Sequence, residues 1–176
     1  MSNERHYMVL TAVGPDRPGL VQQISEAVHE AAANLEDSRM AILGGEFALI
    51  VLLSGPPAAI AKVRERAAAF DKLGLHVSLK ETTAPTSAER FLPYRLRVSG
   101  VDRPGIVASV SKALAVRGIN VASLESRVQN APLSGTLLFL LNAELRVPSD
   151  IALSSLRREL GAVCDDENLD FSLEAG

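Results

Sequence analysis

Gly100-Val101-Asp102-Arg103-Pro104-Gly105-Ile106-Val107, followed by Gly118-Ile119-Asn120, is the stretch from which the rest of the chain can be read. It is written twice. Gly14-Pro15-Asp16-Arg17-Pro18-Gly19-Leu20-Val21 comes first, with Asn34 after it, and each residue precedes its counterpart by 86 positions (Gly14 to Gly100, Asn34 to Asn120). One unit has been duplicated, and both copies keep the same loop-to-helix junction. Proline suits a first helical position, because its missing N–H would be unbonded there and its fixed φ matches the helix, so helices are expected to start at Pro18 and Pro104. Arg17 and Arg103, each before a proline, are biased to extended backbone and fall in the turn that leaves a strand. Gly19 and Gly105 then lie in the first helical turn, where glycine costs roughly 1 kcal/mol against alanine. The expected return is a backbone that another group can approach closely. Free N–H groups and the positive end of the helix dipole at that point suit a small anion such as a carboxylate.

The chain has 176 residues, and the repeat divides it into two units of roughly 80, small but able to fold. A net charge of −3, only 4% aromatic residues and no Lys/Arg block argue against direct nucleic-acid binding, which needs a basic footprint and stacking rings. Cys164 is the single cysteine, which excludes an internal disulfide and a cysteine metal site and fits a reducing, cytoplasmic setting. Met1-Ser2-Asn3-Glu4-Arg5-His6 is a mixed stretch rather than a signal peptide, and no apolar run approaches the roughly 18 residues of a membrane span.

In the first unit, His6 to Val13 reads as a strand too continuously apolar for a one-sided edge position. Leu20, Val21, Ile24, Ala27, Val28 and Ala31 recur at helical spacing over 18–32. Strands follow at Asn34–Ile42 and Phe47–Leu53, joined by a tight turn at Gly44-Gly45. After Pro56-Pro57, a second helix turns Ile60, Val63, Ala67 and Phe70 inward, Gly74 stops it, and Leu75, Val77 and Leu79 alternate in a last strand. Residues 82–92 lack a period and read as a linker between a domain at 1–81 and one at 93–176. The second unit repeats the order: strand 93–99, helix 104–117, strands 121–128 and 136–145, helix 149–163, and strand 169–173, with a longer hairpin from Gln129 to Gly135.

The β-α-β-β-α-β order predicts an α+β fold: two ferredoxin-like units, each a four-stranded antiparallel sheet with both helices on one face. Phe47 to Leu53 and Leu137 to Leu141 are apolar on both faces, so the uncovered sheet faces are expected to pack on the other unit or on a second chain, pointing to a homodimer.

Little looks like catalytic chemistry. His6, His29 and His76 have no metal-binding spacing, Cys164 has no His nearby in sequence, and Ser99, Ser109 and Ser111 sit in no nucleophile motif. Arg64, Arg66, Arg157 and Arg158 read as a solvated face. No catalytic residue, metal or cofactor is expected.

Asp-Arg-Pro-Gly-Ile-Val, followed by Arg117-Gly118-Ile119-Asn120-Val121, resembles the ACT domain, a small regulatory module that typically binds amino acids. The resemblance covers nearly the whole chain. It implies a ligand lying against the loop after the first strand and reached by an Asn at the start of the second, often across a domain interface. By that likeness the binding residues are Gly100, Asp102, Gly105, Ile106 and Asn120, with Gly14, Asp16, Gly19 and Asn34 in the first copy. Asp16 and Asp102 match a position that is Asn in some members, and Gly14 and Gly100 fall where serine-binding members have His. An α-amino acid needs acceptors for its ammonium and donors for its carboxylate; Asp102 and the N–H groups around Gly105 and Ile106 supply both, with Asn120 bridging. Gly118 stops the helix before Asn120, whereas the first unit has Ala31-Ala32-Ala33, which favours the second unit as the binding one.

The expected function is therefore a ligand-sensing regulator. It would bind glycine or serine and control a protein partner, such as a transcription factor, by contact rather than by binding DNA. A ligand-free interaction module is the alternative. An enzyme on the same fold, such as an acylphosphatase or a fragment of a formyltetrahydrofolate deformylase, comes third. RNA binding comes last, because strands 93–99 and 136–145 lack an aromatic platform.

Overall fold

A computed structural model describes residues 5–84, 91–132 and 135–176. The chain forms two compact units. In the first, β1 (His6–Pro15), α1 (Leu20–Glu30), β2 (Asn34–Leu43), β3 (Glu46–Gly55), α2 (Pro57–Ala67) and β4 (His76–Thr82) build one antiparallel sheet of order β2-β3-β1-β4. In the second, β5 (Phe91–Val101), α3 (Ile106–Val116), β6 (Asn120–Asn130), β7 (Leu137–Pro148), α4 (Leu153–Asp166) and β8 (Leu169–Ala175) repeat it as β6-β7-β5-β8. Each is the expected ferredoxin-like arrangement. The stretch read as a linker is shorter than 82–92, since β4 runs to Thr82 and β5 starts at Phe91; its middle, 85–90, lies outside the described residues, as do Met1–Glu4 and 133–134 of the longer hairpin.

β1 is central, which is why it is apolar on both sides. Met8, Leu10 and Ala12 stand opposite Leu53, Val51 and Leu49, and all six are buried under the helices. Leu20, Ile24 and Val28 of α1 and Ile60, Val63 and Ala67 of α2 close that core, with Phe70 following in a 3-10 turn, Phe70–Leu73. In the second unit Leu96 and Val98 meet Ala143 and Leu141 under Ile106, Val110, Leu114, Leu156, Leu160 and Cys164. Full burial of such a side chain stabilises by about 1.5–3 kcal/mol, so the burial-driven packing outweighs any single loop contact. Cys164 is the small packed hydrophobe the sequence suggested, and burial pushes its thiol up to about 11.

Three helix starts differ from expectation, and α2 ends at Ala67 instead of running on to Gly74. α1 and α3 start at Leu20 and Ile106, not at Pro18 and Pro104. Gly19 (φ 93°, ψ −4°) and Gly105 (φ 101°, ψ −10°) are left-handed N-caps. Pro-Gly here has the third-residue geometry of a type II turn, which needs positive φ, so handedness explains these glycines. α4 starts at Leu153 rather than 149, because Pro148 accepts a turn hydrogen bond from Ile151 and the first helical bonds run to Ala152. The two units also stop their first helices alike. Ala32 (φ 59°) does what Gly118 (φ 64°) does, and Ala33 and Ile119 each donate to the carbonyl five residues back. The contrast drawn between Ala31-Ala32-Ala33 and Gly118 is therefore corrected: alanine takes the left-handed position there at a steric cost of about 1–2 kcal/mol.

The sheet faces away from the helices are unlike. Register places Val9, Thr11 and Val13 beside Leu52, Ile50 and Ala48 on the first, an apolar surface on which Ile50 is 48% exposed. On the second, Leu138 and Leu140 give way to Asn142 and Glu144 on β7, beside Arg95, Arg97 and Ser99 on β5 and Glu125 and Arg127 on β6. The expectation of two apolar open faces thus holds for the central strands β1 and β3 of the first unit, which Asp37 and Arg39 on β2 and Ser78 and Lys80 on β4 flank, and fails for most of the second, where Asn142, Glu144 and Arg146 follow Leu140 on β7.

Candidate functional site

Each junction is anchored at one side and open at the other. The Asp16 N–H donates to the Gly45 carbonyl and the Asp102 N–H to the Leu137 carbonyl, both at 2.9 Å, tying the loop to the neighbouring hairpin. Gly19 and Gly105 accept from Gln23 and Ser109 at 3.0 Å, the first helical bonds. No side chain caps either helix, and among the described residues no acceptor meets the N–H groups of Val21 and Gln22 or of Val107 and Ala108. A substituent at Gly105 would meet nothing within 4 Å. Donors at the positive end of a dipole, with open space before them, can hold a carboxylate.

The arginines diverge. Arg103 pairs with Glu167, which also accepts from Ser109 Oγ at 2.8 Å, so a carboxylate at the end of α4 clamps the second loop. Leu73 stands at the corresponding place in the first unit, and Arg17 has no ionic partner among the described residues. Asp16 and Asp102 likewise keep carboxylates without a protein donor.

The remaining sequence-chosen residues fall into two groups. Gly14 and Gly100 lie beside the loops, but packing accounts for both: a Cβ on Gly14 would sit 2.4 Å from the Gly74 carbonyl oxygen, and on Gly100 2.5 Å from Leu169 Cδ2. Ile106 is 1% exposed, so its side chain belongs to the core. Asn34 and Asn120 are at the other end of the sheet. Asn34 stands opposite Ser54, itself opposite Tyr7, whereas Gly14 stands opposite Phe47. In the second unit Asn120 meets Arg146 and through it Pro93, far from Gly100. Seven strand residues separate the two ends in each case, about 23 Å at 3.3 Å per residue. A unit's own Asn therefore does not reach its own loop.

Sequence reasoning passed over Glu36 and Ser54 beside Asn34, and Glu167 behind Arg103. A sequence period does not announce a β-bulge, and Glu167 is 64 residues from the arginine it holds. Hollows of about 400 Å³ on the open face of the second sheet (Arg97, Arg127, Asn142) and about 470 Å³ between α3 and α4 (Lys112, Val116, Glu159) include none of the sequence-chosen residues. Among the described residues no group of three or more His, Cys, Asp or Glu can hold a metal ion, and no helix is long and apolar enough to cross a membrane.

Comparison with known proteins adds a family and a full-length likeness. Residues 6–80 and 94–152 each match a family profile described as the ACT domain. The chain is 30% identical over 172 residues to the glycine cleavage system transcriptional repressor of Escherichia coli (strain K12), covering 97% of this chain and 90% of that protein. The same figures hold for the protein of that name in Shigella flexneri. A crystal structure of an unknown protein from Galdieria sulphuraria superposes with a TM-score of 0.81 at 30% identity, over 98% of this chain and 99% of that one.

Proposed function

Because the chain belongs to the ACT-domain family, as two ACT domains in tandem, we propose that it is a non-catalytic regulator that binds a small amino acid, glycine or serine, and modulates a protein partner by contact. The partner is a transcription factor governing amino-acid metabolism, the setting is cytoplasmic, and the working form is a homodimer. The observation that carries the reading is the pair of junctions with unanswered N–H donors, each about 23 Å from its own strand-start Asn. A carboxylate would take the helix-end donors, and a strand-start asparagine of a second copy of the chain would bridge. The likeness to a repressor over nearly the whole length supports the regulatory part.

The test is a thermal-shift screen of the full chain against the proteinogenic amino acids, with Asn34→Ala and Asn120→Ala alongside. Ligand at 100 times its dissociation constant adds about 2.7 kcal/mol, so a selective rise that one variant loses is the expected result. No rise with any amino acid at millimolar concentration would leave the ligand-free interaction module, which the apolar open face of the first unit favours.

A further inference from the structure

The two strand-start corners share a backbone irregularity and differ in the side chains set on it. The register of β2 against β3 slips between Leu35 and Asp37, making Glu36 the extra residue of a β-bulge, an irregularity that re-aims a side chain. The same slip recurs between Val121 and Ser123, where the extra residue is Ala122. At the first corner three groups converge on one atom. Asn34 Nδ2 donates to Glu36 Oε1 at 2.9 Å, Ser54 Oγ donates to it at 2.5 Å, and the Arg5 guanidinium lies 3.7 Å from it. Ser54 is fully buried, at 0% exposure, so the serine is a fixed support for a surface acid. Among the described residues Glu36 Oε2 has no partner, and neither has Asn34 Oδ1.

The carboxylate is thus gripped through one oxygen and presents the other. The hydrogen bonds from Ser54 and Asn34 hold its carboxyl below the usual glutamate value, so it is ionised at neutral pH. A fixed anionic acceptor beside an amide carbonyl matches a primary ammonium, which carries three donors and no acceptor. The second corner has the opposite character. Ala122 offers no acceptor, and Asn120 stands opposite the cation Arg146.

We propose that Glu36, with Asn34, is the part of the ligand site that reads the α-ammonium of an amino acid, and that the Asn120 corner does not share this role. This rests on the amino-acid reading above and assigns the ammonium to one corner of the molecule. Selection follows from the donor count. A hydroxyl in place of the ammonium offers one neutral donor instead of three charged ones, and a trimethylated nitrogen offers none.

The experiment follows the backbone amides of Asn34, Glu36 and Ser54, and the Asn34 and Asn120 side-chain amides, in ¹H–¹⁵N spectra of the full chain. The titrants are methylammonium chloride, tetramethylammonium chloride, glycine and glycolate. Methylammonium and glycine should move the Asn34 corner and not the Asn120 side chain; tetramethylammonium should leave both in place, and glycolate should leave the Asn34 corner in place. Glu36→Gln keeps an acceptor for Ser54 and Asn34 but removes the charge, and it should weaken the methylammonium response by about tenfold or more. A melting temperature close to that of the parent confirms that the variant is folded. Unmoved signals with methylammonium, or an equal response in Glu36→Gln, would overturn the assignment. Methylammonium binding without binding of any amino acid would keep the ammonium site and discard the amino-acid regulator. Glycine binding undiminished in Glu36→Gln would do the reverse.

Discussion

The two units share a fold and a set of core positions but differ in their open sheet faces, their loop arginines and their bulges. The first has an apolar open face around Val9, Ile50 and Leu52, an Arg17 with no ionic partner among the described residues, and an acid at its bulge; the second has a charged face around Arg97 and Glu144, an Arg103 clamped by Glu167, and Ala122 at its bulge. Duplication preserved what folding needs, the strand-loop-helix punctuation and the inward rows. It left the periphery free to specialise. The second unit, favoured by its Gly118 when the sequence alone is read, has the loop paired to Glu167 and lacks a carboxylate at its bulge.

The comparison can be broken most strongly at the glycines that precede the loops. Gly14→Ala would press a Cβ to 2.4 Å from the Gly74 carbonyl oxygen, whereas Gly100→Ala would meet the end of the Leu169 side chain first, at 2.5 Å, and the Asn168 carbonyl oxygen only at 3.1 Å. We expect losses of about 3 and about 1–2 kcal/mol respectively, read from urea denaturation of the full chain. Equal losses would mean that the two strand ends are packed alike. Next come the helix stops. Ala32→Gly should stabilise by about 0.5 kcal/mol, since relief of the left-handed alanine exceeds the added chain entropy, and Gly118→Ala should destabilise by about 1 kcal/mol.

The clamp gives a smaller effect. Arg103→Ala should cost about 0.5 kcal/mol, because its partner is only partly shielded from water, while Arg17→Ala should change nothing measurable. Smallest is a pH effect at the first bulge. Glu36 has a lowered folded-state pKa, so its stabilisation is present above the ordinary value of 4.5 and is lost as pH falls below that through the folded value. Melting temperatures should therefore drop more steeply with acid in the parent than in Glu36→Gln.

Most of the fold was legible because two signals were each written twice. Period-two apolar rows such as Leu75, Val77 and Leu79, and helical rows such as Leu20, Ile24 and Val28, depend only on local spacing. The helix starts differ from the sequence reading because Pro-Gly fits both a first helical turn and a type II turn, and only the positive φ of Gly19 and Gly105 in the structure separates the two. The loop half of the candidate site was legible from Asp-Arg-Pro-Gly. The other half was not. That Glu36 leaves the ladder depends on how β2 lies against β3, and a register between strands is set by the partner as much as by the strand itself.

The central claim is that one ligand engages the loop of one chain and the strand-start asparagine of a second copy. The most direct measurement is a glycine titration of the ¹⁵N-labelled full chain. Saturating glycine should move the Val21–Gln22 or Val107–Ala108 amides together with the Asn34 side chain along one binding curve, although the two ends of each sheet lie about 23 Å apart. Movement confined to one end, or no movement at all, would contradict it.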